Sequence, residues 1–462
     1  MKRDGDPARS LGAEAGPPGG RFVRLHIGAA ASWVIFWYAA ALLGYLAVNA
    51  MAARLLADSF AQFILAITVS TMLGQLGLMG VHRGGMRQAA RLDVDNLEGL
   101  QELRRDARVV SCLLLPVTGT IAGGVTFALT TVSRTAERVT LAVLMGLLVW
   151  LGGQQKLSAS YLRGFGQVRF ASLLEGLSGG ALVAACQGVL MATLLVFAPD
   201  SGLVNVFAAM ATGYVAPVAV ASRRVTPLWR HLEETGSVLR DARLVTIRHW
   251  YFASTLLGGY LNGVVEVWLA TAVLSSSGAS LFAAAQRLTG VLTVPLAAVA
   301  MVFAPAVARL SKVDDRRLEM LLRTGATFAA VAMAVFWIPL LVIPGPVLRI
   351  VYGPHFGSAS TMLLLLALGS ASNVLAGMCG MALTMSRHER LVARVMWCAV
   401  VVRVGVGGLL GAVFGGVGLA AGAAAVTIVV SAVLWMLANL RMGLRTHLTV
   451  RPSLRVIRET PG

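Results

Sequence analysis

The sequence predicts an all-α integral membrane protein of about twelve transmembrane helices, arranged as two six-helix lobes. Three observations predict it: the composition, the alternation of basic loops with apolar spans, and a weak internal repeat. Of 462 residues, 57% are hydrophobic and only 13% are charged, with a mean hydropathy of +0.76. A soluble domain carries about 25% charged residues, so this chain cannot cover itself with water-compatible surface.

The apolar runs are of bilayer-spanning length, about 20 residues each. They fall near 28–52, 61–82, 109–132, 139–160, 171–197, 202–222, 249–274, 279–305, 324–346, 358–384, 393–414 and 417–440. Tight polar or glycine turns join some of them, at Ser275-Ser276-Ser277-Gly278 and Gly415-Gly416. Pro116, Pro217, Pro295 and Pro339 lie within spans and are expected to kink them.

Charge gives the orientation. The net charge of +18 does not mark a nucleic-acid binder, because the Lys and Arg sit between apolar spans. With a cytoplasmic N-terminus, the segments 1–27, 83–108, 156–170, 223–248, 306–323, 385–394 and 441–462 all face the cytoplasm. Together they hold 33 of the 39 Lys and Arg. The opposite side holds Arg54, Arg134, Arg138 and Arg349, while Arg287 and Arg403 lie inside spans. This is the positive-inside pattern of a multi-pass bacterial inner-membrane protein with both termini cytoplasmic. The organisation expected is a disordered tail over 1–27, a first lobe over 28–222 and an inter-lobe loop over 223–248. A second lobe then covers 249–440 and a basic tail 441–462. No loop is long enough for a catalytic domain, so an enzyme is not expected. Cys112, Cys186, Cys379 and Cys398 fall in apolar spans, without metal-ligand or disulfide spacing. No metal or cofactor is expected.

The repeat supplies the two lobes. At a constant offset of 218, Ala90, Arg91, Leu92, Leu100, Leu103 and Arg105 match Ala308, Arg309, Leu310, Leu318, Leu321 and Arg323. Both segments look like short amphipathic surface helices. Asp95-x-x-Glu98 and Ser311-x-x-Asp314 resemble their capping boxes. The match separates six spans from six. A parallel repeat of that kind puts a pseudo-two-fold axis along the membrane normal and a cavity between the halves.

Three stretches carry a family resemblance. They are NAMAARLLADSFAQFILAITVSTMLGQLGLMGVHRGGMRQ over 49–88, AAAQRLTGVLTVPLAAV over 283–299 and FGGVGLAAGAAAVTIVV over 414–430. The chain resembles the polysaccharide-transport, Wzx-like flippases of the multidrug/oligosaccharidyl-lipid/polysaccharide exporter superfamily. The resemblance implies a V-shaped transporter working by alternating access. Its cargo would be a lipid-pyrophosphate-linked saccharide, carried across for surface polysaccharide export. It implies membrane lipids and polysaccharide polymerase machinery as partners, and a functional monomer is plausible for a two-lobed chain. A cation-coupled multidrug exporter of the same superfamily is the alternative.

Ionisable residues inside spans are costly and mark candidate sites. Glu266 and Arg287 flank the tight turn at 275–278 at similar depth, so they are placed to pair. Thr255, Gly259, Asn262 and Glu266 share one helix face, and Gln286 flanks Arg287. Arg403 is near mid-depth of its span. One reading makes Arg287 and Arg403 contacts for the cargo's pyrophosphate, with Glu266 competing for Arg287 or carrying a coupling proton. The other makes the charges fixed interhelix pairs. Asn49, Gln75, Gln154 and Gln155 are candidates either for substrate contact or for packing. Glu175, six residues after Arg169, suggests a gate or an interfacial ion pair. Trp33, Trp37, Tyr38 and Tyr45 suit a sugar path or an interface anchor. Gly407, Gly411 and Gly415, four apart, suit close helix packing.

Overall fold

A computed structural model describes residues 20–89, 97–129, 134–176, 179–229, 237–310, 314–386, 388–449 and 452. Among them, every regular element is helical. The first half contains α1 (Gly20–Leu56), α2 (Phe60–Leu78), α3 (Val81–Ala89), α4 (Leu97–Val109), α5 (Leu115–Leu129), α6 (Thr135–Gly164), α7 (Val168–Leu174), α8 (Gly180–Phe197) and α9 (Leu203–Trp229). The second contains α10 (Val238–Val273), α11 (Ser276–Gly290), α12 (Val294–Leu310), α13 (Asp315–Val342), α14 (Pro344–Tyr352), α15 (Ser360–Ala376), α16 (Cys379–Met385) and α17 (Glu389–Met442).

Among the described residues, eleven continuous helical stretches are long and apolar enough to cross a membrane, one fewer than the twelve expected. The difference lies in α17. Its 54 residues hold the last two spans, folded back on each other at Gly415, whose φ of 65° and ψ of −150° are non-helical. Arg403 bonds Thr427 across this hairpin, and Gly422 faces Gly407. Gly415 is therefore the hairpin's turn, not a third member of the packing stripe. Gly407 and Gly411 do pack, against Leu419, Leu269 and Val273.

Small residues also bring α5 and α6 together. A Cβ on Gly119 would sit 2.9 Å from the Gly146 carbonyl oxygen, and one on Gly123 would sit 2.7 Å from that of Ala142. In lipid, such close backbone approach drives helix association. Two of the four expected proline kinks coincide with changes of helix type. Pro116 follows a π-helical turn over Val110–Leu114, and Pro295 follows a 3₁₀ turn over Val291–Thr293. Each break accommodates the missing N–H bond. Pro217 and Pro339 stay inside α9 and α13.

Several expected boundaries move. Residues 20–27, expected in the disordered tail, begin α1; residues 1–19 lie outside the described set. The inter-lobe loop over 223–248 is mostly helix, because α9 runs to Trp229 and α10 starts at Val238. Helices commonly continue into the aqueous layer, where water satisfies their last polar groups. The two repeat segments are not separate surface helices. They are the first turns of longer stretches, Leu97–Ala128 and Asp315–Val342. Their matched leucines point inward, with Leu103, Leu318 and Leu321 essentially inaccessible. Of the expected capping boxes, residues 90–96 and 311–313 are outside the described set. Asp314 is itself the N-cap of α13, its carboxylate accepting from the Arg317 N–H at 2.9 Å.

The loops sort to two ends. Segments rich in Lys and Arg gather at one end, where Arg248 of α10 pairs with Glu102 of α4 and Arg163 of α6 pairs with Glu175. We call this the basic end. At the far end the two halves meet again. There Arg54 donates to the Ile350 carbonyl at 2.7 Å, and the Ala61 N–H donates to Ser280 Oγ at 3.0 Å. Phe60 packs against Tyr352 and Phe356 beside them. After α17 the chain doubles back over the basic end of the second half, burying Leu444 and Thr446 and bonding Thr446 Oγ1 to the Ala376 carbonyl.

Candidate functional site

A cavity of about 690 Å³ runs from mid-depth to the basic end. Most of its wall comes from the first half: Tyr38, Thr71, Gln75, Arg83, Lys156 and Tyr214 among others, with Ala300 and Met381 contributed by the second half. It is therefore a cavity of the first half whose rim touches the second.

Its charges are unbalanced. Arg83, Lys156 and Arg163 face one carboxylate, Glu175. Arg163 pairs with Glu175, while Arg83 and Lys156 make no hydrogen bond or ion pair among the described residues. His82, at the start of α3 and past the apolar span of α2, is 2% exposed, and neither ring nitrogen has a partner. Burial, aided by Lys156 and Arg83, holds its pKa well below the usual histidine value. Burial also pushes the Glu175 carboxyl up from its usual range, against the pull of Arg163.

Local chain geometry places these groups. Met79 and Gly80 turn the chain with positive φ of 46° and 76°, which swings α3, with His82 and Arg83, away from the axis of α2. The helix α6 runs unbroken to Gly164 and carries Gly152, Lys156, Ser160 and Arg163 on one face at spacings of 4, 4 and 3. Glu175 sits at the break after α7. Gln155 fixes that break by donating to the carbonyls of Leu174 and Gly179, the latter at 2.7 Å.

The sequence-predicted residues divide into three groups. Glu266 pairs with Arg403, not with Arg287. Successive residues on a helix point about 100° apart. Here α11 turns Gln286 toward Glu266, at 3.3 Å, and sends Arg287 to α1, where it donates to the Tyr45 hydroxyl at 2.6 Å. Arg403 also bonds Asn262 at 3.1 Å and Thr427 at 2.9 Å, so Glu266, Arg403, Asn262 and Gln286 form one satisfied network. Both members of the pair are buried, Glu266 at 2% and Arg403 at 8% exposed. The side chain of Thr255, at the other end of the expected stripe, is outside the described set.

Asn49, Arg287 and Tyr45 line a second cavity of about 20 Å³, room for roughly one water. Asn49 bonds the Tyr45 carbonyl in its own helix. Gln75 lines the large cavity, as do Gln155 and Tyr38. Gln154 instead bonds Ser111 beside the π turn of the α4–α5 stretch. Glu175 forms an ion pair, but with Arg163; the Arg169 carbonyl accepts from Trp33.

The positive-inside pattern places Arg83, Lys156 and Arg163 in loops, whereas the structure puts them on the cavity wall. The 152/156/160/163 spacing was the available signal, since a loop has no helical face. Among the described residues, no group of three or more His, Cys, Asp or Glu is placed to hold a metal ion.

No protein-family model and no curated protein matches the chain. Solved structures do match over nearly its whole length. A MATE protein solved in complex with MaL6 superposes with a TM-score of 0.63 at 14% identity, covering 92% of this chain and 99% of its own. An inward-facing multidrug resistance MATE family transporter of the MOP superfamily gives 0.62 at 14%, covering 89% and 98%. A MOP superfamily transporter from Pyrococcus furiosus, described as having a binding pocket of reverse polarity that suggests a different function, gives 0.57 at 14%, covering 92% and 98%. The chain thus has the fold of the MATE transporters of the MOP superfamily, and with eleven long apolar stretches among the described residues, one of them a hairpin of two spans, it is a multi-pass membrane protein.

Proposed function

We propose that the chain is a transporter that moves an anionic amphiphile, a saccharide linked to a lipid by a diphosphate, from the leaflet at its basic end to the opposite leaflet. The observation that carries this reading is the cationic cavity: Arg83, Lys156 and Arg163 against a single Glu175. Such a wall favours an anion and repels a cation. In a low-dielectric site that preference is stronger than in water. By the charge of its loops, the basic end is cytoplasmic and the membrane is the bacterial inner membrane. Solved neighbours of the same fold in inward-facing and outward-facing conformations support alternating access as the mechanism.

A second reading is cation-coupled drug export, favoured by the multidrug MATE neighbours and by a carboxylate, Glu266, at membrane depth. Against it, Arg403 already neutralises Glu266. Proteoliposomes holding a fluorescent polyprenyl-diphosphate oligosaccharide separate the two. The expected result is loss of leaflet protection only in vesicles with the protein. Failure to move this lipid, with expulsion of a cationic dye under a proton or sodium gradient, would overturn the proposal in favour of the second reading.

A further inference from the structure

We infer that residues 443–449, the segment after α17, form a displaceable plug. Seated, they fill the second half's counterpart of the cavity, and cargo in the cavity competes with them for a shared wall. The cargo's identity rests on the transport reading above; the plug rests on the geometry that follows.

The repeat locates that counterpart. At its offset of 218, the start of α4 at Leu97 corresponds to the start of α13 at Asp315, and the end of α8 at Phe197 corresponds to the turn of α17 at Gly415. Leu78, His82, Ser160 and Arg163 of the cavity wall then correspond to Leu296, Ala300, Met378 and Met381. In the second half these four pack in one cluster with Leu444, which is 2% exposed. Where the first half keeps an open space, the second inserts a side chain from the segment after α17.

Two departures from the repeat seat this segment. The helix α9 continues through Val225, but its counterpart Gly443 takes a φ of 65° and ends α17. The helix α6 continues through Ala159, but its counterpart Gly377 takes a φ of 78° between α15 and α16, and a Cβ there would run into the Thr446 carbonyl oxygen. Both backbones are ones that glycine adopts freely and side chains avoid. One turns the chain back and the other makes room for it. Beyond Gly443, Leu444 and Thr446 face inward and Arg445 outward, the alternation of extended chain. Thr446 Oγ1 donates to the Ala376 carbonyl and the Thr449 N–H donates to Thr327 Oγ1, each at 2.9 Å, while Trp435 Nε1 donates to His447 Nδ1 at 3.2 Å. The segment is thereby fastened to α13, α15 and the second arm of α17.

The competition follows from the wall that the two spaces share. Ala300 and Met381 line the cavity and also pack in the cluster of Leu444. An occupant that pushes them back presses on the seated leucine, and a released plug lets them recede. The fastenings are of a kind that gives way, because water replaces a side-chain hydrogen bond at small net cost. Cargo and plug are thus negatively coupled, and the coupling is reciprocal: bound cargo favours release, and release favours cargo binding.

The test is thiol labelling of the full-length chain in nanodiscs, with Cys112, Cys186, Cys379 and Cys398 replaced by alanine. Met378→Cys is the reporter, because its counterpart Ser160 lines the open cavity. A membrane-impermeant reagent should label it slowly. Leu444→Asp should speed labelling about tenfold or more, as expected on losing a buried leucine anchor. Leu444→Met should leave it slow, which separates release of the plug from general loosening. Thr446→Val removes only the bond to Ala376 and should speed labelling a few-fold, so the test survives if the aspartate variant does not fold. A polyprenyl diphosphate, its binding measured in the same samples, should speed labelling of the reporter with Leu444 intact. The Leu444→Asp protein should bind that lipid a few-fold more tightly. Labelling unchanged by both Leu444→Asp and Thr446→Val overturns the plug. Faster labelling in those variants, with bound lipid leaving the reporter's rate unchanged or lower, overturns the competition. A lipid that does not bind removes the transport reading alone, and the two substitutions still decide the plug.

Discussion

Arg403 spends its hydrogen bonds on Glu266, Asn262 and Thr427. Nothing in that arrangement is left to hold a ligand, so the pair is better read as a rivet joining α10 to both arms of the α17 hairpin. A buried ion pair is strongly asymmetric in its energetics, because removing one partner leaves an uncompensated charge at membrane depth. Glu266→Ala or Arg403→Ala alone should therefore destabilise the protein by about 3–5 kcal/mol. The double variant should lose less than the sum of the two. Unfolding of the purified chain in detergent measures this as a double-mutant cycle. Strict additivity would mean the two residues are not coupled. A transport defect in Arg403→Lys at full stability would return Arg403 to the list of cargo contacts. The sequence exposed both residues as costly charges inside spans but not their pairing, since 137 positions separate them and only tertiary packing brings α17 against α10. Across the tight turn the nearer candidate was Arg287, which α11 rotates away. Lys156 was missed for the opposite reason. The run Gly152-Gly153-Gln154-Gln155-Lys156 reads as a chain leaving the membrane, whereas α6 continues to Gly164 and keeps the charge at the cavity wall.

Elements behave according to their breaks. The α17 hairpin depends on Gly415, whose backbone lies in a region that side chains avoid at a cost of about 1–3 kcal/mol. Gly415→Ala should lose stability of that order. Gly405→Ala, mid-helix with open space around a new Cβ, should be neutral or gain a little. Equal effects at the two sites would show that the turn is not strained. The same contrast separates what pattern reveals from what it hides. Apolar length disclosed every span, and the Gly415-Gly416 pair marked the turn. Where helices overrun the apolar stretch, as α1, α9 and α10 do, hydropathy gives no boundary. Polar residues continue a helix in water as readily as they form a loop. The repeat was visible in Leu103 and Leu321 because both are core residues at equivalent starts of α4 and α13. Its lobes' contacts were not visible, since the residues that make them, such as Ala61 with Ser280, carry no pattern of their own.

On the scale of the whole molecule, the halves touch at both ends, through Arg248 with Glu102 at the basic end and through a few contacts at the far end that, under the transport proposal, would close one of its two access states. Ala61 with Ser280, Arg54 with the Ile350 carbonyl, and the Phe60–Tyr352–Phe356 cluster join the halves there. A conformational equilibrium moves by as much as a ligand or substitution favours one state over the other. A cysteine in place of Ser70, which lines the cavity and is 6% exposed, reports that equilibrium. Cys112 and Cys398, both exposed, are first replaced by serine to silence the background. A membrane-impermeant thiol reagent should then label Ser70→Cys in vesicles that present the basic end, and far more slowly in vesicles of opposite sense. Adding Ser280→Phe puts a ring where no accessible space exists, wedging the far end apart. Labelling should then rise from the far side and fall from the basic side. A rise on the far side with no fall on the basic side would mean that the wedge opens a leak through the protein, not a second access state. Equal labelling from both sides without the wedge would mean that the far-end contacts do not seal the cavity at all, and the transport proposal would lose its closed face.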